Sequence, residues 1–177
     1  MENLPNGLSQ LNLLQPTAAE TEFLKCCGSR KWAQQMSRRL PFRDERDLFE
    51  TAEQVWWTLS PEDWLEAFRS HPKIGEQKPG TATSASALSW SRKEQQGVAD
   101  ASANTRELLA KLNQRYEEKF GFIYIVCATG KSSEELLTIL QERLANESET
   151  ELRNAAKEQA QITRLRLNKL LASWEQS

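Results

Sequence analysis

Phe122-Ile123-Tyr124-Ile125-Val126-Cys127-Ala128 is the only β-like run in the chain. A lone strand cannot make a stable sheet. The run therefore predicts a buried extended segment threaded between helices, near residues 122–128. Its backbone N–H and C=O groups then need partners other than a ladder, and a ligand is one source of them. On one side, Gly121 stops a helix carrying Leu108, Leu109, Leu112 and Tyr116 as far as Lys119. On the other, Ser132-Ser133-Glu134-Glu135 opens a helix around Leu136, Leu137, Ile139 and Leu140, ended by Asn146. Ser148 or Thr150 then starts the last and longest helix, through Leu152, Ala156, Ile162, Leu165 and Leu170.

The N-terminal half repeats this rhythm of helices and short breaks. Thr17-Ala18-Ala19-Glu20 has the form of a capping box and opens a helix toward Cys27, and Ser29 is a candidate cap for the next. Leu40-Pro41-Phe42 breaks that helix. Asp44 introduces an apolar stripe at Leu48, Ala52, Val55, Trp56 and Leu59. Ser60-Pro61-Glu62-Asp63 combines a hydroxyl cap, Pro at the first position and acids against the dipole. The helix it starts should end just before His71. Ser91 and Glu94 fit a second capping box, opening the long helix that reaches Lys119, so Gly75 to Trp90 is expected to be a mobile loop. No βαβ rhythm or internal repeat appears. The expected fold is all-α, a single compact helical domain over 17–177 after an irregular lead-in over 1–16.

Composition narrows the function classes. The 177 residues include 38% hydrophobic and 27% charged side chains, enough for a soluble globular core. The net charge of -2 gives no basic field for a phosphate backbone, which argues against a nucleic-acid binder. No apolar run approaches membrane-spanning length, and no secretory signal is visible. Cys26, Cys27 and Cys127 make a poor disulfide framework and read as reduced thiols of a cytoplasmic protein. With one His and scattered Cys, no zinc-ligand spacing exists, so no metal site is expected.

Four pieces could carry chemistry. His71 is the only histidine, in Ser70-His71-Pro72-Lys73-Ile74-Gly75, and imidazole titrates near neutral pH. Pro72 biases it toward an extended backbone, and Gly75 lets the chain turn sharply. An exposed helix-ending His is the bland alternative. Ser91-Arg92-Lys93-Glu94-Gln95 offers polar groups at an expected helix start, suited to an anion, or is only a cap. Tyr124 to Ala128 is either ligand-contacting backbone or plain core. Arg166, between Leu165 and Leu167, either snorkels or aims a bidentate fork at a planar anion. Cys127 has apolar flanks and reads as an inert buried thiol. A non-enzymatic helical interaction module, using exposed aromatics near Trp56 and Trp57, is the competing reading.

Together these pieces resemble a family. Leu40-Pro41-Phe42, the His71 corner, Ser91 through Gly97, Tyr116 through Lys119-Phe120-Gly121-Phe122, Ile125-Val126-Cys127-Ala128 and Leu165-Arg166-Leu167 follow in an order similar to the OHCU decarboxylases. These act on 2-oxo-4-hydroxy-4-carboxy-5-ureidoimidazoline, and the resemblance covers roughly residues 17–172. It implies an all-helical, cofactor-free homodimer that forms (S)-allantoin in urate degradation. It implies His71 as catalytic imidazole and Glu94 as its acid–base partner. Pro72, Ser91, Gln95 and Arg166 would meet the substrate, with Tyr124, Ile125, Val126, Cys127 and Ala128 contributing partly through backbone. A second register gives Gln96 the role of Gln95. A lyase for a related ureido or imidazolinone compound stays open, as does association with hydroxyisourate hydrolase, which forms the substrate. The ending Glu-Gln-Ser is not a peroxisomal tripeptide and fits a cytoplasmic, bacterial member.

Overall fold

The computed structural model describes residues 6–76 and 84–175, which hold ten α-helices and no strand. The chain divides into two compact units, residues 1–66 with 160–177, and residues 67–159.

The first unit contains α1 (Gly7–Leu13), α2 (Pro16–Cys26), α3 (Arg30–Ser37), α4 (Glu45–Trp57), the start of α5 (Pro61–Arg69) and the end of α10 (Ser148–Glu175). Its caps follow local chemistry. Ser29 accepts the N–H of Trp32, and Asp44 accepts that of Asp47. The core is aromatic: Phe23 meets Trp32 edge-on at 5.7 Å, and Trp32 Nε1 donates to Ala52 O at 3.1 Å.

Three expectations change in this unit. Residues 7–13, expected to be irregular, form α1, because Asn6 caps Ser9 and because Leu8 and Leu11 have a core to enter. A Cβ at Gly7 would lie 2.2 Å from Leu171 O, so α1 is seated backbone-to-backbone on α10. Next, α2 begins at Pro16 rather than inside Thr17–Glu20, since Pro at the first position needs no side-chain cap. Finally, Trp56 is only 2% exposed and gives its carbonyl to Trp64 Nε1 at 3.0 Å, so it is not available as the exposed aromatic of an interaction surface.

The second unit contains the end of α5, α6 (Ala85–Glu94), α7 (Gln96–Ala99), α8 (Ala103–Phe120), α9 (Ser133–Arg143) and the start of α10. Gly121 closes α8 in the left-handed region at φ +78, its N–H donating to Glu117 O. The chain then runs extended and buried from Tyr124 to Ala128, as its composition predicts. Tyr124 and Val126 enter an apolar cluster with Leu109, Leu112, Leu136 and Leu140. Ser132 and Glu135 complete a reciprocal capping box at the start of α9.

The long helix expected from Ser91 is not formed. Ser84 caps α6 through the N–H of Ala87, so Ser91 and Glu94 fall in the last turn of that helix. Gln95 and Asp100 then separate α6, α7 and α8, and Ser102 caps α8 through Thr105. The break has a packing reason. A Cβ at Gly97 would meet Lys131 O at 2.3 Å, so only a glycine lets α7 approach that backbone. Of the expected loop over 75–90, residues 84–90 are the cap and body of α6, and 77–83 lie outside the described residues.

Candidate active site

His71 sits where α5 ends. Its N–H donates to Phe68 O at 3.1 Å and the N–H of Ser70 donates to Ala67 O at 3.2 Å, so the helix tightens before Pro72 stops it. Three contacts then fix the corner. Asn113 Nδ2 donates to Ile74 O at 2.9 Å, Gly75 N donates to Gln95 Oε1 at 3.1 Å, and Gly75 adopts φ +86. The His71 Nε2 lies 2.7 Å from Oε1 of Gln159, which is wholly buried on α10. The imidazole is thereby tied at its far end while the ring itself stays half-buried.

Beside this corner is a cavity of about 260 Å³. Pro72, Gly75, Ser91 and Gln95 line it, with Leu88, Val98 and Ala99 on its apolar side and Glu76, Arg92 and Arg106 adding charge. Pro72, Ser91 and Gln95 thus share one cavity, while His71 and Glu94 are not in its lining. Ser91 and Glu94, three residues apart on α6, are both buried. Because they end a helix, the carbonyl pole and not the amide pole is nearby, and the anion-receiving helix start expected there is overturned.

The extended run is held by side chains. Cys127 N donates to Glu158 Oε2 at 2.7 Å, Lys131 Nζ donates to Cys127 O at 2.7 Å, and Arg143 Nη1 donates to Ile125 O at 2.6 Å. Arg143 also pairs with the wholly buried Glu151, which accepts from Tyr116 and Asn146 as well. The Tyr124 hydroxyl is committed to Leu136 O at 3.0 Å. Burial raises the Tyr116 and Tyr124 phenols, so both remain protonated donors. Burial also raises the Cys127 thiol; Lys131 opposes this, and the carboxylates of Glu158 and Glu94 reinforce it. Burial therefore disfavours the thiolate form of Cys127.

Arg166 lies in the first unit, 3% exposed, seven residues beyond Gln159 along α10. There burial pushes the Cys27 thiol up to about 11 and Cys26 higher still, with the Arg166 charge working against both.

Sequence reasoning missed Gln159, Glu158, Arg143, Glu151 and Asn113. For Gln159 a signal existed. On α10 the buried positions include Ala155, Ala156, Gln159, Ile162, Thr163 and Arg166, so polar side chains interrupt a core-facing stripe. A buried amide in such a stripe must be paired with something specific.

A tethered imidazole, a buried carboxylate and a small cavity of mixed lining thus belong to the second unit of an all-α protein. The chain belongs to the OHCU decarboxylase family, whose model matches residues 12–168. It is 39% identical over 154 residues to "Uric acid degradation bifunctional protein TTL" of Arabidopsis thaliana, covering 86% of this chain and 47% of that protein. The chain therefore spans about half the length of that relative. It is 31% identical over 133 residues to the 2-oxo-4-hydroxy-4-carboxy-5-ureidoimidazoline decarboxylase of Amia calva, covering 74% of each. A crystal structure of OHCU decarboxylase in the presence of (S)-allantoin superposes with a TM-score of 0.73 at 38% identity, covering 85% of this chain and 97% of the other.

Proposed function

We propose that this chain is a carboxy-lyase that converts 2-oxo-4-hydroxy-4-carboxy-5-ureidoimidazoline to (S)-allantoin in urate degradation, without a cofactor. The observation that supports this most is the His71 corner: the chain's one imidazole is tethered at 2.7 Å to a buried amide, and the adjoining Pro72 lines a cavity of about 260 Å³ together with Ser91 and Gln95. Its size suits a small polar ring better than a macromolecule. Family membership supplies the substrate class.

The chemistry asks little of an external electron sink. The C–C bond to the carboxylate breaks, CO2 leaves, and the electron pair enters the conjugated C=N of the ring. One proton reaches the ring nitrogen. The hydroxyl loses its proton as it becomes a carbonyl, and the neighbouring carbon gains one on a single face. The net uptake is one proton per CO2 released. His71 carries the proton leaving the hydroxyl. Glu94 holds a ring or ureido N–H and tunes the imidazole. Pro72, Ser91 and Gln95 shape the cavity around the substrate; the role of Arg166 toward the substrate's polar groups rests on the family resemblance alone. The family resemblance gives Tyr124, Ile125, Val126, Cys127 and Ala128 contacts to the substrate partly through backbone; they do not line the cavity beside His71, and Ile125 O, Cys127 N and Cys127 O already have side-chain partners.

Among the described residues no helix is long and apolar enough to cross a membrane; the buried, free state of Cys26, Cys27 and Cys127 supports a reducing, cytoplasmic site of action. The family resemblance supports a homodimer, checked by light scattering. The Arabidopsis relative's name gives two functions of uric acid degradation to one protein, which supports pairing with a second activity of that route, for which hydroxyisourate hydrolase is the candidate.

Coupling urate oxidase and hydroxyisourate hydrolase to this protein and following optical activity tests the reaction. Rapid one-handed allantoin is the expected result. A racemate forming at the uncatalysed rate overturns it.

A further inference from the structure

We infer that Gln159 is a positioning residue that holds His71 as its Nε2–H tautomer and makes Nδ1 the nitrogen that exchanges protons with substrate, an inference that rests on the proton-carrier role proposed above for His71. The Oε1 atom of Gln159 faces Nε2 at 2.7 Å. An amide oxygen only accepts, so Nε2 bears the hydrogen and the lone pair of the neutral ring lies at Nδ1.

The choice of an amide has a consequence of its own. When Nδ1 takes the hydroxyl proton, the ring becomes an imidazolium and both nitrogens are donors. The Nε2–H still points at the same oxygen. One hydrogen bond therefore serves both charge states, and the ring need not turn between them. A carboxylate would also accept, but its charge would favour the imidazolium and hold the proton too tightly. Gln159 orients without adding charge.

The surroundings make this orientation firm. Gln159 is 0% exposed and belongs to α10, the longest helix in the chain. The preceding residue, Glu158, is fixed to Cys127 N. The other side of the pair is equally constrained, because Pro72 follows His71 and the corner is pinned through Ile74 O and Gly75 N. The two partners are 88 residues apart in sequence. Their contact is a product of the fold and not of local backbone habit.

Because the chain has one histidine, two-bond 1H–15N correlation spectra of the full protein report this ring alone. The expected wild-type pattern has a pyrrole-type Nε2 and a pyridine-type Nδ1. Gln159→Leu, similar in size but without an acceptor, is expected to give a mixed tautomer pattern. Its kcat should fall at least about tenfold, less than the roughly 10²–10⁴ of a positioned acid–base group because the imidazole itself remains, with KM nearly unchanged. Gln159→Glu keeps an acceptor oxygen and should keep the Nε2-bound proton. A pyridine-type Nε2 in the wild type overturns the assignment, whether or not any variant folds. So does a Gln159→Leu protein whose tautomer pattern or kcat is unchanged. A wild type with the Nε2–H pattern but no activity in the coupled assay defeats the decarboxylase reading instead.

Discussion

Glu158 and Gln159 are consecutive on α10, and their side chains hold two different segments of the second unit. Glu158 accepts the N–H of Cys127 at 2.7 Å, while Gln159 meets Nε2 of His71 at 2.7 Å. Successive helical residues point about 100° apart. One turn of helix thus braces the extended run with one side chain and the imidazole corner with the next.

Glu158→Ala should leave the buried Cys127 N–H without its acceptor, at a cost of about 1–3 kcal/mol. The expected readout is a lower urea midpoint with an unchanged slope. Glu158→Gln retains an acceptor oxygen and should lose less. An alanine variant as stable as the parent would show that this bond contributes nothing.

Gly97→Ala forces a methyl to within 2.3 Å of Lys131 O, a backbone atom that cannot swing aside. Overpacking of this kind costs about 1–3 kcal/mol. Lys131 also donates to Cys127 O, so the extended run should shift with it. A lower melting temperature together with a raised KM is expected; a neutral variant would mean the two backbones separate easily.

His71→Gln is the cleanest removal of the imidazole, since an amide can still donate toward Gln159. Turnover should fall by about 10²–10⁴, the range for a positioned acid–base group, with the circular dichroism spectrum unchanged. Near-normal turnover would take His71 out of the chemistry.

The thiols of the first unit give a pH prediction. Burial raises Cys27 from an ordinary 9.0 to about 11, which means the folded protein keeps a proton that the unfolded chain releases. Stability from this source is fully present below pH 9 and is lost as pH rises toward 11. Cys26, also raised by burial, acts in the same direction. Urea midpoints should therefore fall across that window, and Cys27→Ala should flatten the fall. A midpoint constant from pH 8 to 11 would contradict it.

The local parts of the fold were legible because their causes are local. Ser29, Asp44 and Ser132 each cap the helix that their sequence announces, and Gly121 supplies the left-handed stop. The extended run was legible for a complementary reason: one β-like stretch among helices has no ladder to join. Ser91 and Glu94 misled because their spacing matches a capping box wherever it falls. The start of α6 was settled by Ser84, and its break by the approach of Gly97 to Lys131. The anchors were least legible. Gln159 and Glu158 are defined by partners 88 and 31 residues away, and no local window contains those pairs.

Glu151, Glu158 and Gln159 share one helix, and each is committed to a partner outside it: Arg143, Cys127 and His71. Their phase around the axis is therefore as consequential as their identity. Inserting one residue between Glu151 and Glu158 would rotate the later two by about 100° relative to the first while changing no side chain at all. Drift in length at this point of the gene should be harder to accommodate than drift in composition.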